Sequence, residues 1–445
     1  MSLIKSEELS YCYALLETML QKAKQRGATD AAGFINHDSG FSVNVRMQEV
    51  ETVAFNEDKN ITLVVYFGQR KGSASSTDLS VTAIDQIVEA ACEIAKVSSI
   101  DACFGLPDAQ LMLNNHPDLD LYHPWNIEPT AMIEQALLCE KHALSLDQRI
   151  VNSDGVEGST NSFIHCFANT CGGIGAMRGT RHGFSCSLIA QNDSGMQRDY
   201  NYTTARNSVN LITPQELAAS TVSRTVQRLG ARKIKTCKTP VLFSSRISNS
   251  LLSSFINAIS GSNLYRKNSF LLDSIGKLIF PEWVQIYETP RLLGALGSAP
   301  FDSEGVPTRD NVFVKNGYVT QYVLGSYAAR KLKLQSTANS DGVHNLHINP
   351  NAGDLNELIA LMHTGLLVTE LMGQGVNILT GDYSRGAFGF WVENGSIQYP
   401  VEGITIAGNL KNLYLDIVAI GRDINPNIAT RCGSILISNM TIAGC

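Results

Sequence analysis

A chain of 445 residues with 44% hydrophobic residues, 17% charged residues and 36 glycines is too long for one core and lacks the bias of a disordered segment. Its net charge of −6 argues against general affinity for a phosphate backbone, so nucleic acid is not an expected ligand. No apolar run approaches the roughly 20 residues that span a bilayer, and MSLIKSEELSYC at the N-terminus has acidic residues where a secretory leader has its apolar core, so the expected location is cytoplasmic, with no membrane partner.

In chain order, Ser6 is the predicted cap of a first helix, with Glu7 and Glu8 near the positive end of its dipole. Leu9, Tyr13, Leu16, Leu20 and Ala23 recur at helical spacing, and Gly27 is placed to end it. AAGFIN, FSVNVR and NITLVVYFG then have strand character. Asp78 or Ser80 opens a second helix with Ile84, Ile87, Val88, Ala91 and Ile94 on one face. Residues 1–105 therefore form a predicted α+β subdomain. The polar, proline-bearing stretch 105–129 reads as a connection. Pro129 starts a helix to about residue 145, strands follow over about 150–210, and a helix over 214–229 stops at Gly230. Residues 106–235 are the second predicted subdomain, with ARKIKTCKT (231–239) as a surface linker.

Residues 240–445 form the third unit, rich in strands, with helices near 248–259, 326–332 and 354–362. The last has a capping-box-like start in Asp354 and Glu357. Residues 364–409 hold nine glycines among short runs of Val, Ile, Leu, Phe and Trp. That spacing predicts antiparallel strands with tight turns, one of them at Glu393-Asn394-Gly395. The expected fold class is α+β: an N-terminal α+β region followed by a C-terminal domain with a curved, mainly antiparallel β-sheet. No internal repeat is apparent in the sequence.

The glycine-rich stretch resembles the PmbA (TldE) branch of the TldD/PmbA peptidase family. So do SSFINAISGSNLYRKNSFLLDSIGKLIFPEW, FDSEGVPTRDNVFVKNGYVTQYVLGSYAARKLKL and TRCGSILISNMTIAGC, and, nearer the N-terminus, FGQRKGSASSTDLS and FGLPD. In the TldD branch an HExxxH helix and a cysteine near the C-terminus hold zinc. Two imidazoles and a thiolate bind the metal, an open position keeps a water, and the Glu takes its proton. At the matching helix this chain has Ser253-Ser254-Phe255-Ile256-Asn257-Ala258, without either histidine or the glutamate, although Cys432 stands at the cysteine position.

The resemblance implies a metalloprotease subunit with no catalytic or metal-binding residues of its own at Ser253, Ser254 and Ala258, and no cofactor in this chain. It would act in a heteromer whose TldD-like partner carries zinc and hydrolyses unfolded or flexible peptides, as in leader-peptide processing and antitoxin degradation. Without that partner, a homodimer is expected. Glu370, Asp382 and Arg385 interrupt an apolar sheet and are candidates for lining a peptide channel. One alternative is a peptidase acting alone on a metal held by His344, His347, His363 or Cys432. Another is a non-enzymatic module binding a regulator of gyrase or carbon storage. The ten scattered cysteines include no CxxC pair. Those near His165 and His182, namely Cys166, Cys171 and Cys186, read as buried small hydrophobes.

Overall fold

The computed structural model describes residues 2–112 and 116–444, with side chains in the first helix described from Glu8 onward. The chain begins with helix α1 (Ser2–Gln25), strands β1 (Asp30–Arg46), β2 (Glu49–Phe67) and β3 (Arg70–Ser76), and helix α2 (Val81–Val97). The same succession then recurs as α3 (Pro129–Leu146), β4 (Ile150–Asn169), β5 (Ile174–Asn192), β6 (Gly195–Ala205) and α4 (Pro214–Gln227). The six strands form one antiparallel sheet in the order β3-β2-β1-β4-β5-β6. That order is symmetric about the β1–β4 pair, so the fold repeats where the sequence shows no repeat.

Both helix pairs lie on one face of this sheet. Ala31, Ile35, Val43 and Val45 of β1 all point to it, since side chains alternate along a strand. The first two join the core of α1 and α2, and the last two join that of α3 and α4. AAGFIN and FSVNVR are thus one strand, because β2 and β4 pair with β1 through the polar His37-Asp38-Ser39-Gly40 between them. Helix α1 begins at Ser2, upstream of the predicted cap at Ser6, whose side chain lies outside the described set. Ser80 caps α2 as expected, but Ile94 is exposed and Ala95 takes the buried position.

The C-terminal half runs β7 (Cys237–Phe243), α5 (Asn249–Ala258), α6 (Gly261–Tyr265), β8 (Ile286–Glu288), β9 (Asn311–Lys315), β10 (Tyr318–Val319), α7 (Ser326–Leu332), β11 (Leu346–Ile348), α8 (Leu355–Met362), β12 (Gly365–Met372), β13 (Asp382–Glu393), β14 (Ser396–Asn409), α9 (Leu410–Leu415), β15 (Ile417–Ile420) and β16 (Ile435–Ala443). Strands β7, β12, β13, β14 and β16 close into a barrel, because β14 pairs with β16 at Thr405–Ala443 to Ala407–Thr441. Only the β7–β12 pair in it is parallel. The expected curved, mainly antiparallel sheet is present. The turn at Asn394-Gly395 has φ of 51° and 69° and joins Glu393 to Ser396, the two-residue hairpin geometry that Asn-Gly favours.

Helix α5 places Leu251, Leu252, Phe255 and Ala258 in one core with Val241, Phe243, Leu366 and Val368 of the barrel, while α8 covers the other side. The predicted linker is anchored: Arg232 donates its N–H to the Pro400 carbonyl at 2.9 Å, and the Glu402 N–H returns to the Arg232 carbonyl at 3.1 Å.

Contacts between the two halves include the following. Arg330 of α7 donates to the carbonyls of Cys103, Gly105 and Leu106. The Phe301 ring stands 4.8 Å from that of Phe167, on the sheet face away from the helices. Among the described residues no helix is long and apolar enough to cross a membrane.

Candidate functional site

Leucines and a phenylalanine three and four apart turn one face of α5 to the barrel core, which leaves Ser253 exposed on the other side. The Ser253 hydroxyl donates to the Asn249 carbonyl and that of Ser254 to the Ser250 carbonyl, both at 2.9 Å. Ala258 is buried in the core. Cys432 sits at the other end of the helix, where Ser248 donates to its sulfur at 3.4 Å. Burial pushes the Cys432 thiol up to about 12 despite that hydrogen bond.

These groups do not fit a zinc ion. Hydroxyls engaged by their own helix are poor donors, Ala258 has none, and a protonated thiol without imidazole partners is one ligand at most.

The histidines of the alternative reading are held apart by different partners. His344 lies 3.5 Å from Asp341. Burial opposes its protonation, but the Asp341 hydrogen bond and charge raise its pKa overall. His347 stacks on Tyr287 at 4.9 Å and bonds Thr289 at 2.6 Å. His363 ends α8 with φ of 59°, exposed to solvent beside Thr364. Among the described residues, no group of three or more His, Cys, Asp or Glu side chains is arranged to hold a metal. Cys166 and Cys186 are buried as expected, whereas Cys171, in the turn between β4 and β5, is exposed, and Cys445 lies outside the described residues.

The channel candidates divide. Glu370 of β12 and Arg385 of β13 line one cleft of about 230 Å³, together with Asp199 and Tyr200 of β6, Arg246, and Asn249 and Ser250 from the first turn of α5. Asp382 stands elsewhere: it accepts from Thr380 at 2.7 Å and Asn409 at 3.0 Å, two bonds that lower its pKa and fix a local turn.

Glu370 pairs with Arg228 at 2.7 Å, whose guanidinium lies 3.6 Å from the Phe388 ring centre. Buried Asp199 is shared by Arg224, Arg228 and Arg246 at 3.2, 3.6 and 3.8 Å. Arg246 also donates to the Tyr200 carbonyl at 2.8 Å and lies over that ring. The sequence reading missed these arginines. Their one local signal is a lone charge within an apolar and serine-rich run, as at Arg246 in VLFSSRISN.

Comparison with known proteins places the chain. It matches the PmbA/TldA metallopeptidase domain 1 over residues 31–95, the central domain over 122–229 and the C-terminal domain over 236–444. It is 46% identical to metalloprotease PmbA of Escherichia coli O157:H7, covering 96% of this chain and 94% of that one. The chain belongs to the PmbA family. A PmbA homologue from Haemophilus influenzae is 43% identical over 100% of this chain and 98% of its own. A crystal structure from Bacteroides thetaiotaomicron, titled as a candidate modulator of DNA gyrase, superposes with a TM-score of 0.92 at 26% identity over 97% of this chain and 99% of that one. TldE from Thermococcus kodakarensis shares the fold, with a TM-score of 0.85 at 20% identity over 97% of this chain and all of that one. The fold expected from the resemblance is that of these relatives.

Proposed function

We propose that this chain is the metal-free subunit of a TldD/TldE-type metallopeptidase complex in the cytoplasm. A TldD-like partner would supply the HExxxH helix and zinc, and this subunit would form part of the wall that guides unfolded or flexible peptides to it. Leader peptides and unfolded antitoxins are the expected substrates. The observation that carries the reading is the chemistry at α5. The family's name is that of a metallopeptidase, yet the helix presents Ser253, Ser254 and Ala258, with the hydroxyls bonded within the helix. The cleft beside the first turn of α5 supports a peptide-handling role, since β6 on its wall is the terminal strand of its sheet. An extended peptide can pair with a terminal strand wherever its edge is free, through backbone hydrogen bonds that ignore side-chain identity.

The test is metal content. The chain purified without chelators is expected to hold far less than one zinc per molecule, while its complex with the partner holds about one, retained on the partner after separation. Near-stoichiometric zinc on the isolated chain, lost on substitution of His344, His347, His363 or Cys432, would establish the competing reading of an independent peptidase.

A further inference from the structure

We infer that the cleft beside α5 binds a carboxylate of the incoming peptide, either its C-terminal carboxylate or an acidic side chain, with Arg385 as the principal contact. The inference rests on the peptide-handling reading above and adds the chemistry of what is held.

Three guanidinium groups, those of Arg224, Arg228 and Arg246, surround two carboxylates, those of Asp199 and Glu370, and Arg385 lines the same cleft. Both carboxylates are already engaged. Asp199 is buried and lies among Arg224, Arg228 and Arg246, and Glu370 is bound to Arg228. Among the described residues Arg385 forms no ion pair, and its Nε is buried without a hydrogen-bond partner. The Nε atoms of Arg224 and Arg228, which hold the cleft's carboxylates, are likewise buried and unpartnered. A cationic group on a cleft wall, lacking a partner and backed by further positive charge, is unfavourable until an anion arrives.

The geometry selects the anion's class. A guanidinium presents a planar fork of donors matched to the two oxygens of a carboxylate. Arg246, fixed by the Tyr200 carbonyl and ring, stands on the same cleft as a second cation. At Tyr200 of β6 the carbonyl is taken by Arg246 and the N–H by Asp199, so a peptide entering the cleft at this point meets arginine side chains rather than a free strand edge.

The experiment titrates the full chain against three fluorescent peptides of one unstructured neutral sequence, read by anisotropy. One peptide has a free C-terminus, one an amidated C-terminus, and one is amidated with an internal glutamate. At least one carboxylate-bearing peptide is expected to bind about tenfold or more tightly than the neutral amidated one, and which of them does so identifies the source of the carboxylate. Arg385→Gln is expected to remove that preference, with circular dichroism and the thermal midpoint reporting that the variant is folded. Arg385→Lys is expected to keep part of the preference.

Equal binding of all three peptides, or a preference that survives in Arg385→Gln, would overturn the inference. Cleavage assays with the TldD-like partner separate the two proposals. Stimulation that ignores peptide carboxylates leaves the subunit role standing and removes this one. A carboxylate preference in binding without any stimulation does the reverse.

Discussion

Cys432 shows how burial sets the chemistry of a single residue. The resemblance assigns it to the cysteine position of a zinc site, where a thiolate is required. Its thiol is instead enclosed in the barrel core with Ser248 as neighbour, and burial pushes its pKa well up. Alkylation proceeds through the thiolate, which burial in apolar surroundings disfavours. Native protein treated with iodoacetamide at pH 8 is therefore expected to be modified at exposed Cys171 and to stay unmodified at Cys432 until urea unfolds it, as read by peptide mass mapping. Labelling of both at similar rates would show that the thiol is accessible and charged. The missing histidines and the presence of Cys432 were legible in the sequence. That Glu370 and Arg385 share a cleft while Asp382 caps a turn was not, because the separation depends on where β6 and α5 meet the barrel.

Elements were legible where their signals are local. Helix α4 begins with Thr213 and Glu216 bonded reciprocally ahead of an apolar face, and Asn394-Gly395 turns a hairpin. The opposite case is the turn between β1 and β2. Met47 and Gln48 have φ of 51° and 64°, a conformation side chains other than Gly, Asn and Asp rarely adopt, so no turn signal exists there. The support comes from 93 and 92 residues away: fully buried Glu140 of α3 accepts from the N–H of Met47 at 2.9 Å and of Gln48 at 2.6 Å. Glu140→Ala leaves both donors unpaired and the strained turn unsupported, and is expected to cost about 2–4 kcal/mol in urea denaturation. Replacing Met47-Gln48 with Asn-Gly in that background should recover part of the loss. A Glu140→Ala protein within about 0.5 kcal/mol of wild type would mean that the turn does not depend on the carboxylate.

At the scale of the molecule, composition and glycine spacing made the α+β class and the strand-rich second half legible. Barrel closure was not, since the β14–β16 pair is set by three-dimensional register rather than local pattern. Nor was the duplicated helix–meander–helix plan, which places unlike residues in like positions. Two of the strings that carry the resemblance meet in the structure: Arg330 of GSYAARKLKL grips the backbone of Cys103 to Leu106, reaching into FGLPD. At the cleft itself the halves are joined by other contacts, Arg228 with Glu370 and Arg246 with Asp199 and the Tyr200 carbonyl. On the proposed function, the cleft between β6 and α5 serves a catalytic site on another chain. Its most direct test is the initial rate of cleavage of an unstructured peptide by the purified TldD-like partner, measured with and without a molar equivalent of this chain. A large increase on addition is expected, abolished by chelating the partner's zinc. A partner that cleaves as fast alone as in the mixture would contradict it.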